Sequence, residues 1–197
     1  MSFQFGWIDE NGEPANFPLP PRLRAQLALA TAQALSGDYS AALGYAVSVE
    51  LLYNFALIHE DVEDGNTERA GRPSVWWTWG PAQAINAGDG MHAMARLALF
   101  SLNQNNELPP RVAQAIRTLD DAALDLCEGE YLDITYQEQY ILNVDSYMEM
   151  VRKRSGSLFS CAAALGAIAA QASRDGRGEP RTLELYRRTR PGEPVTF

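Results

Sequence analysis

The sequence predicts an all-α protein built as a bundle of helices. Apolar residues recur at a helical period of about 3.6 in several long segments, and good helix formers such as Ala, Leu and Gln fill these segments. No segment shows the alternation of apolar and polar residues that a half-buried strand requires. Because amphipathic helices bury their apolar faces against one another, the expected architecture is an all-α bundle.

The individual helices can be placed in order along the chain. The predicted helices, each bounded by Gly, Pro or a capping residue, span 22–36, 41–64, 81–102, 111–137 and 147–173. Pro81 suits the first turn of its helix, and Asp145 or Ser146 can cap the last helix. Residues 65–79 are expected to form a loop. Residues 158–170 are apolar on nearly all sides, which is typical of a central helix in a bundle.

Length, charge and cysteine content narrow the class of protein. The 197 residues suffice for one well-packed domain. Asp and Glu number 25 against 16 Lys and Arg, and the net charge of −9 argues against a nucleic-acid partner. Cys127 and Cys161 are too few for a disulfide framework, which favours a reducing, cytoplasmic location. No apolar run reaches the roughly 18 residues of a membrane span, and the first residues lack a signal-peptide pattern, so no membrane span is expected.

An acidic cluster at the end of the second predicted helix is the main candidate site. Glu60, Asp61 and Asp64 share one helix face, whereas Glu63 points elsewhere. Their mutual repulsion, and the partial negative charge of a helix C-terminus, would both be relieved by a multivalent cation. Oxygen ligands in this number suit Mg²⁺. A solvated acidic helix end is the alternative interpretation of such a run taken alone.

The segment that follows the acidic cluster favours the metal interpretation. Arg69 and Arg72 lie in a Gly-containing stretch directly after the carboxylates. Guanidinium groups match phosphate oxygens, so carboxylates with nearby arginines indicate a metal ion together with a diphosphate.

Four sequence blocks carry a resemblance to a known family. They are LIHEDVEDGNTERAGRPSVW (57–76), WGPAQAINAGD (79–89), GEYLD (129–133) and YMEMVRKRSGSLF (147–159). In this order they resemble the motifs of the trans-isoprenyl diphosphate synthases, or polyprenyl synthetases. The resemblance covers the chain from about residue 21 to residue 172.

The resemblance implies a helical bundle around an apolar cavity, and a reaction. That reaction joins isopentenyl diphosphate to an allylic prenyl diphosphate, with Mg²⁺ on the acidic motif, in a homodimeric protein. Metal ions and Arg donors stabilise the departing diphosphate, and an apolar cavity protects the allylic cation from water.

The same resemblance assigns roles residue by residue. It implies metal binding by Glu60, Asp61 and Asp64. It implies catalytic roles for Asp61, Asp64, Arg69 and Arg154. It implies substrate binding by Arg22, Arg24, Arg69, Arg154 and Asp133, where Arg69 and Arg154 hold the allylic diphosphate and Arg22 and Arg24 the second substrate.

The chain departs from the family pattern in two groups of positions. Around the allylic diphosphate, Glu60 replaces Asp, Glu130 replaces Gln and Arg154 replaces Lys. Around the second substrate, Pro21 replaces Lys, Tyr53 replaces His and Ala70 replaces Arg. The second group predicts weak or absent binding of isopentenyl diphosphate.

Three regions are predicted along the chain. Residues 1–20 form an irregular lead-in, 21–173 a partial polyprenyl synthetase-like domain, and 174–197 an atypical tail, disordered or non-native. The tail holds six Arg, three Gly and three Pro, carries a net charge of +2, and contains no second aspartate-rich motif. A truncated or frameshifted product is the favoured explanation, and a short protein with a flexible basic tail is the alternative.

Three functions therefore stay open at this point. The first is prenyl transfer, which is in doubt for so short a chain. The second is ionisation of a single allylic diphosphate, as in terpene synthases, which the losses at the second-substrate positions favour. The third is an inactive homologue or partner subunit, which the missing second acidic motif favours.

Overall fold

The computed structural model describes residues 1–101, 109–138 and 141–170. Within these residues the α-helices are α1 (Leu23–Ser36), α2 (Leu43–Glu63), α3 (Val75–Trp79), α4 (Pro81–Phe100), α5 (Pro110–Gln137), α6 (Val144–Val151) and α7 (Ser157–Ala169). A 3-10 turn (Ser40–Ala42) leads into α2, and a π-helical turn (Arg152–Gly156) joins α6 to α7. Two short antiparallel strands, β1 (Glu68–Arg69) and β2 (Arg72–Pro73), form a hairpin. The prediction of an all-α bundle is confirmed.

Helix α2 lies at the centre of the bundle and positions the candidate site. It packs against α4 along its length and also contacts α1 and α7. Its side chains Val49, Leu52 and Ile58 are fully buried. Helix α7 is buried on almost every side, as its sequence predicts. Gly166 lets α7 approach α1 closely, since a Cβ there would lie 2.3 Å from the carbonyl oxygen of Ala28.

The segment 65–79 differs from the loop that the sequence predicts. It contains the β1–β2 hairpin and helix α3, whose first turn is capped by the Ser74 hydroxyl accepting from the backbone N–H of Trp77. Ala70 and Gly71 form the hairpin turn with positive φ angles of 53° and 75°, as a type I′ turn requires. Two-residue strands are too short to show any alternation, so the sequence pattern missed them.

The last predicted helix differs from the structure in two ways. It begins at Val144, and Asn143, rather than Asp145 or Ser146, caps it by accepting from the backbone N–H of Ser146. The π-helical turn interrupts it before α7 begins. Its predicted end at 170–173 lies outside the described residues except for residue 170. The predicted break at 103–106 and the tail at 174–197 lie wholly outside them.

The N-terminal segment packs against the hairpin and α4. Phe3 is buried and meets the Trp79 ring edge-on, with 4.6 Å between centroids. The Arg72 guanidinium donates to the Phe3 carbonyl oxygen over 2.6 Å and also stacks on the Phe17 ring. Residues 1–20 therefore cover one side of the candidate site.

One helical segment, Ser40–Glu63, is long and apolar enough to cross a membrane when judged by length and composition alone. In the bundle 56% of its apolar window is buried, which is also the pattern of a core helix. The absence of a membrane span therefore stays a prediction.

Candidate active site

The C-terminal face of α2 carries the three predicted metal ligands. We call Glu60, Asp61 and Asp64 the acidic face. The β1–β2 hairpin folds back over this face and places Arg69 against it. Arg69 donates from Nε to Asp61 Oδ1 and from Nη2 to Glu60 Oε2, each over 2.8 Å. Asp61 is only 1% exposed, so Arg69 compensates a buried negative charge.

Arg154 approaches the acidic face from the opposite side, on the π-helical turn. Its three guanidinium nitrogens reach three carboxylates on two helices. Nη2 donates to Glu60 Oε1 over 2.7 Å, Nε to Glu130 Oε2 over 2.9 Å, and Nη1 to Asp133 Oδ2 over 2.6 Å. Asp64 Oδ2 lies 3.9 Å from Nη2, beyond hydrogen-bond distance. Arg154 thus joins α2 and α5 through charged contacts.

Burial and charge shift the pKa values of these groups. Burial raises the pKa of Glu130 to about 7, although the charge of Arg154 opposes this shift. Burial alone would lower the pKa of Arg69 and of Arg154, but the surrounding carboxylates together raise both. Both guanidiniums therefore stay charged at any physiological pH.

The donor atoms on the acidic face fit Mg²⁺ in part. Asp61 Oδ2 is buried and has no hydrogen-bond partner, and Asp64 accepts no hydrogen bond among the described residues. Both oxygens of Glu60 are already bonded to arginines. No group of three Asp, Glu, His or Cys residues in the described part of the chain is placed to hold one ion. Mg²⁺ commonly takes one or two carboxylates together with waters and substrate phosphates, so Asp61 and Asp64 fit it.

A basic cavity of about 270 Å³ lies beside Arg69. We call it the arginine pocket, and its charged lining residues are Arg22, Arg24, Arg69 and Arg72, with Glu50. The Arg24 guanidinium lies over two aromatic rings, 3.6 Å from the Tyr53 centroid and 4.6 Å from that of Phe159. Tyr53 and Ala70, two of the positions where the chain departs from the family pattern, line the same pocket. Two of its four arginines are already engaged, Arg69 by carboxylates and Arg72 by a carbonyl oxygen.

Sequence reasoning missed three features of the arginine pocket. Glu50 is buried, its Oε2 has no hydrogen-bond partner, and burial raises the pKa of its carboxyl against the opposing charges of Arg22 and Arg24. Asn54 donates to the Glu50 carbonyl oxygen and accepts from Gln4 of the N-terminal segment. Glu50 is a charged residue inside the otherwise apolar run of α2, and this is the sequence signal by which it could have been found. Nothing in the sequence indicated that Gln4 would reach this pocket.

A second cavity of about 270 Å³ lies on the other side of the acidic face, between α2 and α5. We call it the apolar pocket, and its apolar lining residues include Phe55, Ala56, Leu126 and Ile134. Glu63 and Glu130 also line this pocket. Because Glu130 also binds Arg154, this pocket opens next to the acidic face.

The structure brings most of the predicted site residues together. The residues that meet in one network of ion pairs are Glu60, Asp61, Asp64, Arg69, Asp133 and Arg154. Arg22 and Arg24 lie apart from this network and share the arginine pocket with Arg69. The roles assigned to these residues stay predictions.

The fold and the site together define an all-α protein of the isoprenoid synthase type. The family model for polyprenyl synthetase matches residues 20–184, and the chain belongs to this family. The matched range extends past residue 173, the boundary that composition predicts.

Named relatives agree with this assignment. The chain is 33% identical over 177 residues to a (2E,6E)-farnesyl diphosphate synthase of Mycobacterium tuberculosis, which covers 90% of this chain and 48% of that protein. It is 37% identical over 170 residues to a geranylgeranyl diphosphate synthase of the same organism. This match covers 86% of this chain and 47% of that protein. The chain thus spans about half the length of the curated relatives it matches.

Solved structures show the same fold. A polyprenyl synthetase of Streptomyces coelicolor superposes with a TM-score of 0.80 at 34% identity, over 88% of this chain and 50% of that one. A geranylgeranyl pyrophosphate synthetase of Pyrococcus horikoshii superposes with a TM-score of 0.72 at 31% identity. This superposition covers 77% of this chain and 46% of that one.

Proposed function

We propose that this chain performs the prenyl transfer of its family, in which isopentenyl diphosphate is joined to an allylic diphosphate with the help of Mg²⁺. The observation that carries the proposal is an unbroken series of contacts. Arg69 lines the arginine pocket and donates to Glu60 of the acidic face. Arg154 in turn links Glu60 to Glu130, which lines the apolar pocket. Two substrates in the two pockets would thus meet at the acidic face.

The two arginines of the network would bind the allylic diphosphate. Arg69 and Arg154 lie on opposite sides of Glu60, and their forked donors match phosphate oxygens. Their positive charge would stabilise the negative charge that grows on the diphosphate as the C–O bond breaks. Mg²⁺, held by Asp61 and Asp64, would add Lewis-acid neutralisation of the same leaving group.

The apolar pocket would hold the prenyl chain of the allylic substrate. Phe55, Ala56 and Leu126 present hydrocarbon surface directly beside the charged network. A prenyl chain in this pocket would exclude water from the allylic cation and so prevent its hydrolysis.

Ionisation of a single allylic diphosphate, without an isopentenyl partner, is the second candidate function. It is favoured by the arginine pocket, where Tyr53 covers the Arg24 guanidinium and Ala70 offers no charge. Of the four arginines in that pocket, only Arg22 and Arg24 donate no side-chain hydrogen bond to a carboxylate or carbonyl oxygen among the described residues.

One product analysis separates these functions. The full chain is incubated with Mg²⁺ and geranyl or farnesyl diphosphate, with and without isopentenyl diphosphate. A longer prenyl diphosphate supports prenyl transfer, and a hydrocarbon or alcohol formed without isopentenyl diphosphate supports the second function. No product in either reaction would overturn both and favour an inactive homologue or partner subunit. Asp64→Asn should abolish turnover, whereas Asp38→Asn, in the turn after α1, should not.

A cytoplasmic location and a homodimeric assembly are part of the same proposal. Sedimentation of the purified chain tests the dimer directly, and a monomeric mass at micromolar concentration would contradict it.

A further inference from the structure

The N-terminal segment forms one wall of the arginine pocket. Gln4 Nε2 donates to Asn54 Oδ1 of α2 over 3.3 Å, which ties the segment to the pocket. The backbone N–H of Phe17 donates to the Gly6 carbonyl oxygen over 3.1 Å, so the segment also holds its own shape. The family model matches the chain only from residue 20, so most of this wall lies outside the matched range. The lining residues that the segment supplies are Phe3, Gln4, Phe5, Pro18, Leu19 and Pro20.

Arg72 of β2 is held in place by this wall. Its Nη2 donates to the Phe3 carbonyl oxygen over 2.6 Å, and its guanidinium carbon lies 4.7 Å from the Phe3 ring centroid and 4.5 Å from that of Phe17. Gly6 leaves space for the same group, because a Cβ there would lie 3.3 Å from Arg72 Nη1. The Phe3 carbonyl oxygen takes one of five N–H donors, and the guanidinium donates no other hydrogen bond to the described part of the chain. Arg72 is thus a fixed cation with free donors.

The charge of Arg72 is not neutralised in the pocket. It forms no ion pair with a carboxylate among the described residues, whereas Arg69 pairs with Asp61 and Glu60. Burial lowers the pKa of Arg72, and the charge of Glu10 only partly opposes this shift. Arg69 and Arg72 stand directly opposite each other in the β1–β2 hairpin, and like charges in such a pair repel. An anion in the pocket would relieve both the repulsion and the burial of an unpaired charge.

Arg72 also lies close to a position where the chain has lost a charge. The family pattern has an Arg at Ala70, which forms the hairpin turn together with Gly71. Arg72 follows this turn and lines the same pocket as Ala70, so it returns a guanidinium to the pocket two residues later in the chain. One guanidinium does not replace the Lys, the His and the Arg that the family pattern places around the second substrate, so the affinity of the pocket for an anion should stay low.

We propose that the N-terminal segment is a functional part of the arginine pocket. Arg72 binds the anionic group of the ligand in place of the Arg missing at position 70, and Phe3 and Phe17 are positioning residues for Arg72. The naming of this ligand as the second diphosphate rests on the proposed function, whereas the anion site does not.

Binding of inorganic pyrophosphate in buffer stripped of divalent cations tests the anion site. Without a metal ion the carboxylates of the acidic face repel pyrophosphate, so calorimetric titration reports on the arginine pocket. Arg72→Met should raise the dissociation constant at least about fivefold, because it removes a charged donor. Arg117→Met also removes one positive charge, from a side chain that is 83% exposed, and should change the constant less than about twofold. An equal effect of the two substitutions, or a wild-type chain that binds no pyrophosphate at millimolar concentration, would overturn the proposal.

Phe17→Leu tests the positioning role, since it keeps an apolar side chain and removes the aromatic face beside Arg72. It should raise the dissociation constant of pyrophosphate at least about twofold, and thermal melting checks that the variant is folded. Trp7→Leu is the control, because it removes an exposed ring of the same segment that stacks on Phe5 rather than on an arginine. In an Arg72→Met chain, Phe17→Leu should have no further effect, since Phe17 acts through Arg72. Additive losses would contradict the positioning role.

None of these measurements requires turnover, so the inference and the proposed function fail separately. An absence of prenyl products would reject the proposed function and leave the anion site at Arg72 standing. An unchanged pyrophosphate affinity in Arg72→Met would overturn the inference and leave the proposed function standing.

Discussion

Gly129 on α5 lies directly against the backbone of Arg154, and a Cβ at this position would lie 2.4 Å from the Arg154 nitrogen. This contact brings the π-helical turn close enough to α5 for the Arg154 guanidinium to reach Glu130 and Asp133. Gly129 also opens the GEYLD block on which the family resemblance partly rests. Its role here is steric, since it sets the distance between two backbones.

Gly129→Ala should therefore destabilise the protein. The added methyl group would meet backbone rather than a movable side chain, so α5 and the π-helical turn must separate, at a cost of about 1–3 kcal/mol in the free energy of unfolding. Urea denaturation measures this change. Gly90→Ala is the control, because the nearest atoms there belong to the flexible end of Met1 and Ala favours a helix. Equal effects of the two substitutions would contradict the steric role.

Arg69→Met should destabilise the chain by leaving Asp61 as an uncompensated buried charge. Loss of one partner of a buried ion pair costs about 3 kcal/mol. The double variant Arg69→Met with Asp61→Asn should recover part of this loss, because it removes the charge that Arg69 compensated. Arg117→Met is the control, since the Arg117 side chain is 83% exposed, and it should change stability by less than about 0.5 kcal/mol. A double variant less stable than Arg69→Met alone would contradict the expectation.

The raised pKa of Glu130 predicts a specific dependence of stability on pH. In the unfolded chain this carboxyl loses its proton near the ordinary value of 4.5, whereas burial lets the folded chain keep the proton until about pH 7. Between these two pH values the folded state binds more protons, so the free energy of unfolding falls as pH rises through this window and levels off above it. The difference between the two pKa values corresponds to a loss of roughly 3 kcal/mol.

Glu130→Gln should remove this contribution. The variant should thus become more stable relative to the wild type as the pH rises from 4.5 to 7.5. Urea denaturation at several pH values measures it. Parallel pH profiles for the two proteins would show that Glu130 titrates normally in the folded state.

Isopentenyl diphosphate should bind weakly to the wild-type chain. In the arginine pocket Tyr53 stacks on Arg24, and Pro21 and Ala70 contribute no charge, so few donors remain for a second diphosphate. Calorimetric titration should give a dissociation constant above about 100 μM, that is, weaker than roughly 5.5 kcal/mol. Binding in the low micromolar range would contradict the prediction.

Restoring the family residues should strengthen that binding. The double variant Pro21→Lys with Tyr53→His should lower the dissociation constant of isopentenyl diphosphate at least tenfold. Pro18→Lys adds the same charge to another point of the pocket wall and serves as the control for charge alone. An equal gain in the control would assign the effect to net charge rather than to the two positions.

The sequence predicts the helices well because their apolar periodicity is a local property. The acidic face and Arg69 were also predictable, because nine residues or fewer separate Glu60 and Asp61 from Arg69. The contact between Glu60 and Arg154 spans 94 positions, and only the resemblance brought these residues into one site before the structure did. The π-helical turn, the docking of Phe3 and the reach of Gln4 into the arginine pocket depend on tertiary packing, which no local pattern encodes.

The π-helical turn also bears on how the chain could tolerate insertion and deletion. A π turn holds one residue more than an α turn, so deletion of a single residue from Arg152–Gly156 would merge α6 and α7 into one regular helix. Because one α turn would replace one π turn, the parts on either side of the deletion would keep nearly the same orientation relative to each other. Helix α7 would therefore keep its buried faces, but the turn that carries Arg154 would lose the extra residue on which its reach to α2 depends. The number of residues in this turn is therefore constrained independently of which residues they are. A frame-preserving deletion there should leave the core intact and remove the contact between Arg154 and Glu60.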